Sequence, residues 1–527
     1  MSRPPVVVAT DPKGDFSHEE IIALRGPVNG ILNTIPINGP QSAANGFSVN
    51  WKAPNGSSLI SRYQRLTATI NLVVTFTTAP TSIAPRQYPL HQLATTWMSW
   101  VNNQSIGGQV FGEVATQVMK YNSDQIERNT PSAPTLPDYF TEYSVGTAAN
   151  SGYSITNVMG DSTQTLKGRA GWGGFKLSGL TSTSVNVTMT SDEPFIFGGS
   201  YALNKDAPAY VNVNTLQWAV NFSPNLNNLL SIVGGTGVSV AAANTGLFSS
   251  LNILVESYDP SPFMKLPSHA MYGVDRYDIQ PSGTQYACAA GASVTMTSPV
   301  ITCPAVPSRV YLFPKVPQAL KSLTDCDFVG QITSLNLTLD SKPLLTTWDA
   351  DGLGMLAMKN GFQGYFNDRD FVACQASSVA SSVTTSRGVV GPGLCLVFGK
   401  DICLPDGVVS GTAGQHTIQA IVTVRNQSTT AYNASTYPLL LQTVLVYDEV
   451  LDVSNSMALV MPVNISPSES VKEGYRVPAS EQAHGAAGGG LVYGRKTGFG
   501  GSHSGGGHSG GGHSGGTRTG GKGHKLK

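Results

Sequence analysis

Charge is scarce in this chain: Asp, Glu, Lys and Arg together supply 12% of the residues, about half the share of an ordinary globular protein. The 32 acidic and 32 basic side chains cancel, so no overall field steers the molecule toward nucleic acid or an anionic membrane. Gly, Thr, Ser and Asn fill the place of Glu, Lys and Arg, a mix that suits strands and turns better than helices. Cysteine is missing from the first half. All six (Cys288, Cys303, Cys326, Cys374, Cys395, Cys403) lie in the second half with no Cys-x-x-Cys pair, which argues against a zinc knuckle or redox dithiol. No apolar run reaches membrane-spanning length, and Met1-Ser2-Arg3-Pro4-Pro5 opens no secretory core. Free, buried thiols in a reducing compartment are expected. The Asn-x-Ser/Thr triplets at Asn186, Asn336 and Asn426 then follow from a Thr- and Asn-rich composition. Acid is also absent after Glu481, where Arg495, Lys496, Arg518, Lys522, Lys525 and Lys527 supply six positive charges and leave residues 1–481 at −6.

What is present is alternation at a period of two. Leu66, Ala68, Ile70, Leu72, Val74 and Phe76 share one face, with Thr67, Thr69, Asn71 and Thr75 on the other. Leu216, Trp218, Val220 and Phe222 repeat it, and so do Leu335, Leu337 and Leu339. Successive strand side chains point to opposite faces, so each run is a strand with one buried side. At 527 residues, two such blocks have room for two sandwiches.

Residues 1–45 read as an N-terminal arm with one short helix, where Ser17-His18-Glu19-Glu20 forms a capping box before Ile21, Ile22 and Leu24. A first β block occupies 46–262, with a helix expected around Leu90–Val101 because Leu90, Leu93, Ala94 and Trp97 share a helical face. Tyr258-Asp259-Pro260-Ser261-Pro262 is the expected boundary, since closely spaced prolines do not fit a central strand. A second block occupies 263–470, with strands at Val306–Phe313, Gln331–Leu339, Leu394–Phe398, Thr417–Val424 and Leu440–Tyr447, and a helix near Leu353–Asn360. Val187-Thr188-Met189-Thr190-Ser191 returns as Val294-Thr295-Met296-Thr297-Ser298, a trace of duplication or a coincidence of composition. Residues 471–527 are a basic tail. From Gly485 onward 19 of 43 residues are Gly, with His503, His508 and His513 spaced by five. Such a segment buries too little apolar surface to offset ordering, and disorder is expected.

No catalytic, cofactor or metal constellation emerges. Asp349 and Asp351 offer two carboxylates, but the twelfth position of an EF-hand loop counted from Asp349 is Asn360, and a turn leading into a helix explains them better. Gly234-Gly235-Thr236-Gly237 is followed by no Gly-Lys-Ser/Thr, so it reads as a loop. The tail His-Ser pairs lack the rigid base that a nucleophile needs. His416 reads as a turn or surface residue. The tail cations would touch phosphates without reading sequence.

Several short motifs of the second block stand in a recognisable order. These are Pro262-Phe263-Met264-Lys265-Leu266-Pro267, the run Ile301-Thr302-Cys303-Pro304-Ala305-Val306-Pro307-Ser308-Arg309-Val310-Tyr311-Leu312-Phe313-Pro314-Lys315, and Gly330-Gln331-Ile332-Thr333-Ser334-Leu335-Asn336-Leu337. Met358-Lys359-Asn360-Gly361, Phe398-Gly399-Lys400-Asp401-Ile402 and Val424-Arg425-Asn426-Gln427 follow. The series resembles the second jelly roll of double jelly-roll major capsid proteins, in the Polinton, adintovirus and virophage branch of the hexon-like lineage. No motif of the first half matches residue by residue, and the His-Ser-Gly tail is peculiar to this chain.

The resemblance implies an all-β fold of two tandem eight-stranded jelly rolls with a few short helices in insertions. It implies a non-enzymatic subunit without cofactor, forming pseudo-hexagonal homotrimers that tile the icosahedral shell of a dsDNA virus and assemble in the host cell. Penton and minor capsid proteins would be partners, the tail would touch nucleic acid non-specifically, and insertions such as 102–183 would form outward towers or trimer interlocks. The alternatives are a single-jelly-roll coat protein of another virus class and a β-sandwich carbohydrate-binding module. The former fails if both halves are complete sandwiches.

Overall fold

The structure is a computed structural model of the 527-residue chain. It describes residues 30–37, 46–111, 183–195, 209–259, 266–323, 330–348, 394–426 and 431–464, apart from isolated positions, with short strand pieces at 6–9, 20–23, 149–150, 153–154, 175–176 and 389–390.

Eight strands build a first sandwich: β1 (Gly30–Pro36), β2 (Phe47–Lys52), β3 (Arg65–Thr75), β4 (Ala94–Val101), β5 (Gln104–Phe111), β6 (Ser184–Pro194), β7 (Thr215–Phe222) and β8 (Phe248–Tyr258). They form two antiparallel sheets of order β6-β3-β8-β1 and β2-β7-β4-β5. A second set follows: β9 (His269–Pro281), β10 (Ser293–Thr297), β11 (Arg309–Lys315), β12 (Gly330–Leu339), β13 (Lys342–Trp348), β14 (Leu394–Val397), β15 (Ala413–Asn426) and β16 (Leu440–Ser454). Its sheets run β9-β16-β11-β14 and β10-β15-β12-β13. Adding eight to each strand number of the first sandwich gives the second. This eight-stranded double sheet is the jelly roll. Both halves carry it complete, so the single-jelly-roll coat reading fails.

The alternating residues do what their period requires. Along β3, Leu66, Ala68, Ile70, Leu72 and Val74 are all buried, each large side chain contributing about 1.5–3 kcal/mol relative to exposure. Trp218 on β7 is fully buried, and Phe222 meets Phe248 across the two sheets at a ring-centroid distance of 5.3 Å. Leu335, Leu337 and Leu339 on β12 fill the second core.

The repeat extends to the turns. Asn102-Asn103 joins β4 to β5 and Asp340-Ser341 joins β12 to β13, all four residues at positive φ as a two-residue type I′ hairpin requires. The Asn102 N–H donates to the Thr215 carbonyl at 2.9 Å, and the Asp340 N–H donates to Thr417 at 2.8 Å. In return the Asn102 side chain accepts the Thr215 N–H at 3.1 Å and Asp340 accepts the Thr417 N–H at 2.8 Å. By contrast, the Val-Thr-Met-Thr-Ser echo falls on β6 and β10, which are not equivalent strands. It is a coincidence; the duplication lies in topology and turn chemistry.

Two helix expectations are corrected. Glu20–Ala23 is a strand paired antiparallel with Val6–Ala9. The apolar run Ile21-Ile22 is short and β-branched, and a strand partner in Val6-Val7-Val8 was available. Between Leu90 and Val101 only Pro89–Leu93 is helical (α1), and from Ala94 the chain is β4, paired with β7. Thr95, Thr96 and Trp97 favour that state. Within 1–45, Gly30–Pro36 is β1, an integral edge of the first sandwich rather than arm. The helix expected near Leu353–Asn360, most of the 102–183 insertion and the tail lie outside the described residues.

Candidate interaction surface

The sequence candidates for chemistry separate readily. Asp349, Asp351 and the tail His and Lys/Arg residues lie outside the described residues. Gly235 and Gly237 take positive φ beside Pro80 and Thr77, where a Cβ would sit 3.0 and 2.4 Å from the nearest atoms. With Thr236 bridged to Thr78, this is a tight crossing of backbones and leaves no phosphate cradle. Asn426 is fully buried and donates to the Ala289 carbonyl at 3.2 Å, so the residue is a structural tie.

His416 sits on β15 and its Nδ1 lies 2.8 Å from Asp340 Oδ2. Burial alone would raise the Asp340 carboxyl, yet the His416 bond and the Thr417 N–H outweigh it and hold it below its ordinary range. Cys303 is the cross-strand partner of His416, which completes a Cys–His–Asp neighbourhood that the sequence reading did not find. It is not set up as a nucleophile. The thiol is buried, burial pushes its pKa up, and a reactive cysteine requires the reverse. Burial likewise raises Cys288 and pushes Cys395 up to about 12. Cys403 is exposed, against the expectation of buried thiols, because it follows the Gly399–Ile402 turn at the surface. Among the described residues no three His, Cys, Asp or Glu side chains are grouped to hold a metal. No described helix is long and apolar enough to cross a membrane.

The most elaborate buried polar node is Glu193. Its Oε1 accepts the Leu90 N–H at 2.8 Å and the Ser191 hydroxyl at 2.6 Å. Its Oε2 accepts the His91 N–H at 2.9 Å and the His91 ring nitrogen Nδ1 at 2.5 Å. Glu193 and His91 are both fully buried, and the imidazole stacks on Trp97 at 4.4 Å. Tyr88, before α1, has no side-chain capping bond. The carboxylate from β6 therefore caps the first N–H groups of α1 from outside the helix. The 102-residue separation hid this pair from sequence reading.

The two sandwiches lie in one compact unit, residues 1–490, and touch through unlike surfaces. The Tyr272 hydroxyl on β9 donates to the Ala209 carbonyl at 3.0 Å and accepts the Val211 N–H at 2.7 Å. Tyr272 meets Tyr210 edge-on at 5.0 Å, and the Arg62 guanidinium lies over both rings while donating to the Gly273 carbonyl at 3.0 Å. Burial holds the Tyr272 phenol far above its ordinary range. Farther along, the β11–β12 connection reaches back. Asn225 donates to the carbonyls of Gln318 at 2.9 Å and Lys321 at 3.0 Å, and Arg86 donates to that of Ser322 at 2.8 Å. These bonds, those of Arg62 and Arg86 charge-assisted, tie the two sandwiches together within one compact unit.

The outward face of the first sandwich is rich in Thr and Ser and poor in charge. Thr69 with Thr190 and Ser250 forms a row across the outward face of β6, β3 and β8, and Thr75 with Ser184 and Ser239 forms another across β6, β3 and the short strand Ser239–Ala242. Charge on this face of β6, β3 and β8 is confined to the Arg65–Asp192 ion pair and Glu256, so little like-charge repulsion opposes a contact between identical copies. Apolar side chains stand uncovered at Ile31 and Leu32 on β1, at Met271 on β9, and at Met457 and Leu459 on β17 (Met457–Pro462), which pairs with β16.

A mostly β chain of two tandem jelly rolls packed in one compact unit has the double jelly-roll architecture. Comparison with known proteins agrees. Residues 275–446 match the family model described as Major capsid protein V20 C-terminal domain. The chain is 22% identical over 508 residues to "Putative capsid protein V20" of Sputnik virophage, covering 88% of this chain and 81% of that protein. It superposes on a chain of the Sputnik virophage structure with a TM-score of 0.67 at 18% identity, covering 92% of this chain and 99% of that one. It superposes on the mavirus major capsid protein with a TM-score of 0.62 at 14% identity, covering 84% and 92%. The resemblance to double jelly-roll major capsid proteins read from the sequence holds in both sequence and fold.

Proposed function

We propose that this chain is a major capsid protein of a virophage-like dsDNA virus, located in the virion. Its copies associate as homotrimers, each a pseudo-hexagonal block of six jelly rolls that tiles an icosahedral shell. The single observation that carries this reading is the duplicated eight-strand topology running from Gly30 to Ser454; sequence similarity to a capsid protein along 88% of the chain supports it. The neutral Thr- and Ser-rich outward sheet supports it, since a tile must be covered by copies of itself. The role is structural and requires no catalysis. The sandwich that runs from β1 to residue 262 and the one within 263–470 act as the two tile halves. The 102–183 insertion is assigned to towers or interlocks, penton and minor capsid proteins to the neighbouring shell positions, and the six cations after Glu481 to non-specific phosphate contact. The test is light scattering coupled to size-exclusion chromatography on the full chain. A stable trimer supports the reading, and a monomer that binds sugars overturns it.

A further inference from the structure

The in-chain contact between the sandwiches is heterologous, and it leaves one unused copy of each of its halves. Sandwich two contributes the leading end of β9, where Ala270 and Tyr272 are buried. Sandwich one contributes β5 and, hydrogen-bonded to Tyr272, the segment Ala209–Asn212 just before β7. That segment is pinned by reciprocal bonds of Ile60 and Tyr210 at 3.0 and 2.8 Å.

The equivalent segment of sandwich two is Gly411–Gly414, which leads into the first residues of β15. The Thr215 and Thr417 turn bonds set this correspondence, since Tyr210 and Thr412 each stand five residues earlier. Thr412 is also pinned in the same way: the Val306 N–H donates to Thr412 at 3.0 Å and the Gly411 N–H donates to Val306 at 2.8 Å. Yet this shelf carries no sandwich. Gly411 and Ala413 are half-buried, and Gly414 and Gln415 are exposed.

The equivalent of β9 in sandwich one is β1, which pairs with β8 as β9 pairs with β16. It ends its sheet. Ile31 is 47% and Leu32 51% exposed, and as neighbours on a strand they point to opposite faces. An apolar strand end open on both faces is a surface that expects a partner.

We infer that β1 of one copy docks on the Gly411–Gly414 shelf of a second copy, in the arrangement β9 adopts on Ala209–Asn212 within the chain. A heterologous contact repeated head to tail closes into a ring when the rotation between copies divides the circle, and extends into a filament otherwise; each chain supplies one strand end and one shelf to it. This rests on the capsid reading, whose trimer it equips with named contact residues.

The test uses the full chain. The I31D/L32D variant alters side chains exposed in the single chain, so at concentrations where both proteins are monomeric its melting temperature should stay within about 2 °C of the unsubstituted protein. Its trimer should dissociate at least about thirty-fold more readily, as loss of a central interface anchor implies. In a Cys403→Ser background, Leu32→Cys with Gln415→Cys should yield covalent species between chains on mild oxidation. An unsubstituted chain that trimerises while I31D/L32D trimerises equally overturns the docking. So does a lower melting temperature without dissociation, which would show that β1 is covered by its own chain. Cross-links confined within single chains overturn it as well, and they decide the matter if I31D/L32D fails to fold. An unsubstituted chain that never leaves the monomer overturns the capsid reading itself.

Discussion

Glu193→Ala tests whether the buried polar node is structural. The carboxylate accepts four hydrogen bonds in a site without solvent: two from the first backbone N–H groups of α1, one from His91 Nδ1 and one from Ser191. A buried donor left without a partner costs about 1–3 kcal/mol. The Ser191 hydroxyl can turn away, but the two backbone N–H groups cannot. With the imidazole also stranded, the loss is about 3–5 kcal/mol, in the range for breaking a buried charged partnership. For a sandwich of this size, about 2–4 °C per kcal/mol places the melting transition about 10 °C lower by scanning calorimetry. Glu193→Gln keeps one acceptor oxygen and turns the other into a donor facing donors, so about half that loss is expected. Asp192→Asn is the control: its neighbouring ion pair to Arg65 at 2.6 Å is partly exposed and should cost less than about 1 kcal/mol. A Glu193→Ala protein melting within 2 °C of the unsubstituted chain would refute the capping argument.

Three further outcomes follow from the same contacts. Mass-spectrometric mapping of maleimide labelling on the folded chain should find Cys403 modified, while Cys288 and Cys303 stay protected until unfolding. Tyr272→Phe removes the hydroxyl that bridges Ala209 and Val211. It should cost about 2–3 kcal/mol and speed proteolysis between the sandwiches, without unfolding either at room temperature. Burial and the carboxylate of Asp275 across the strand hold the Asp448 carboxyl above its ordinary value of 3.8. The folded state therefore keeps this proton longer than the unfolded chain does, and stability falls as pH rises through the folded value. Asp448→Asn abolishes that loss, so its melting temperature should gain on the unsubstituted protein between pH 4 and pH 7; a constant difference would contradict the assignment.

How far the fold was legible follows from what fixes each element. β3, β7 and β12 carry their instructions locally, as a period-two pattern with one apolar face, and they form where the pattern puts them. The α1 region does not. Leu90, Leu93, Ala94 and Trp97 satisfy a helical face, but pairing with β7 claims the chain from Ala94 onward, a tertiary effect that no local pattern contains. The Ile21-Ile22 run failed similarly, because its strand partner decided its state. At the interaction surface the limit was distance along the chain. Glu193 and His91, or Tyr272 and Ala209, are ordinary residues until the topology joins them. The equivalence of Asn102-Asn103 with Asp340-Ser341 was hidden by different residue types performing one turn. Low charge was the one surface property visible from composition alone.

The central claim is that six like sandwiches, two per chain, close into one block. Electron cryo-microscopy of the purified full chain tests it most directly. The account predicts a threefold particle with six jelly-roll densities in a near-hexagonal ring, β1 of each copy lying against the Gly411–Gly414 segment of its neighbour. A monomer at micromolar concentration, or an oligomer whose copies meet through a twofold contact, would contradict it.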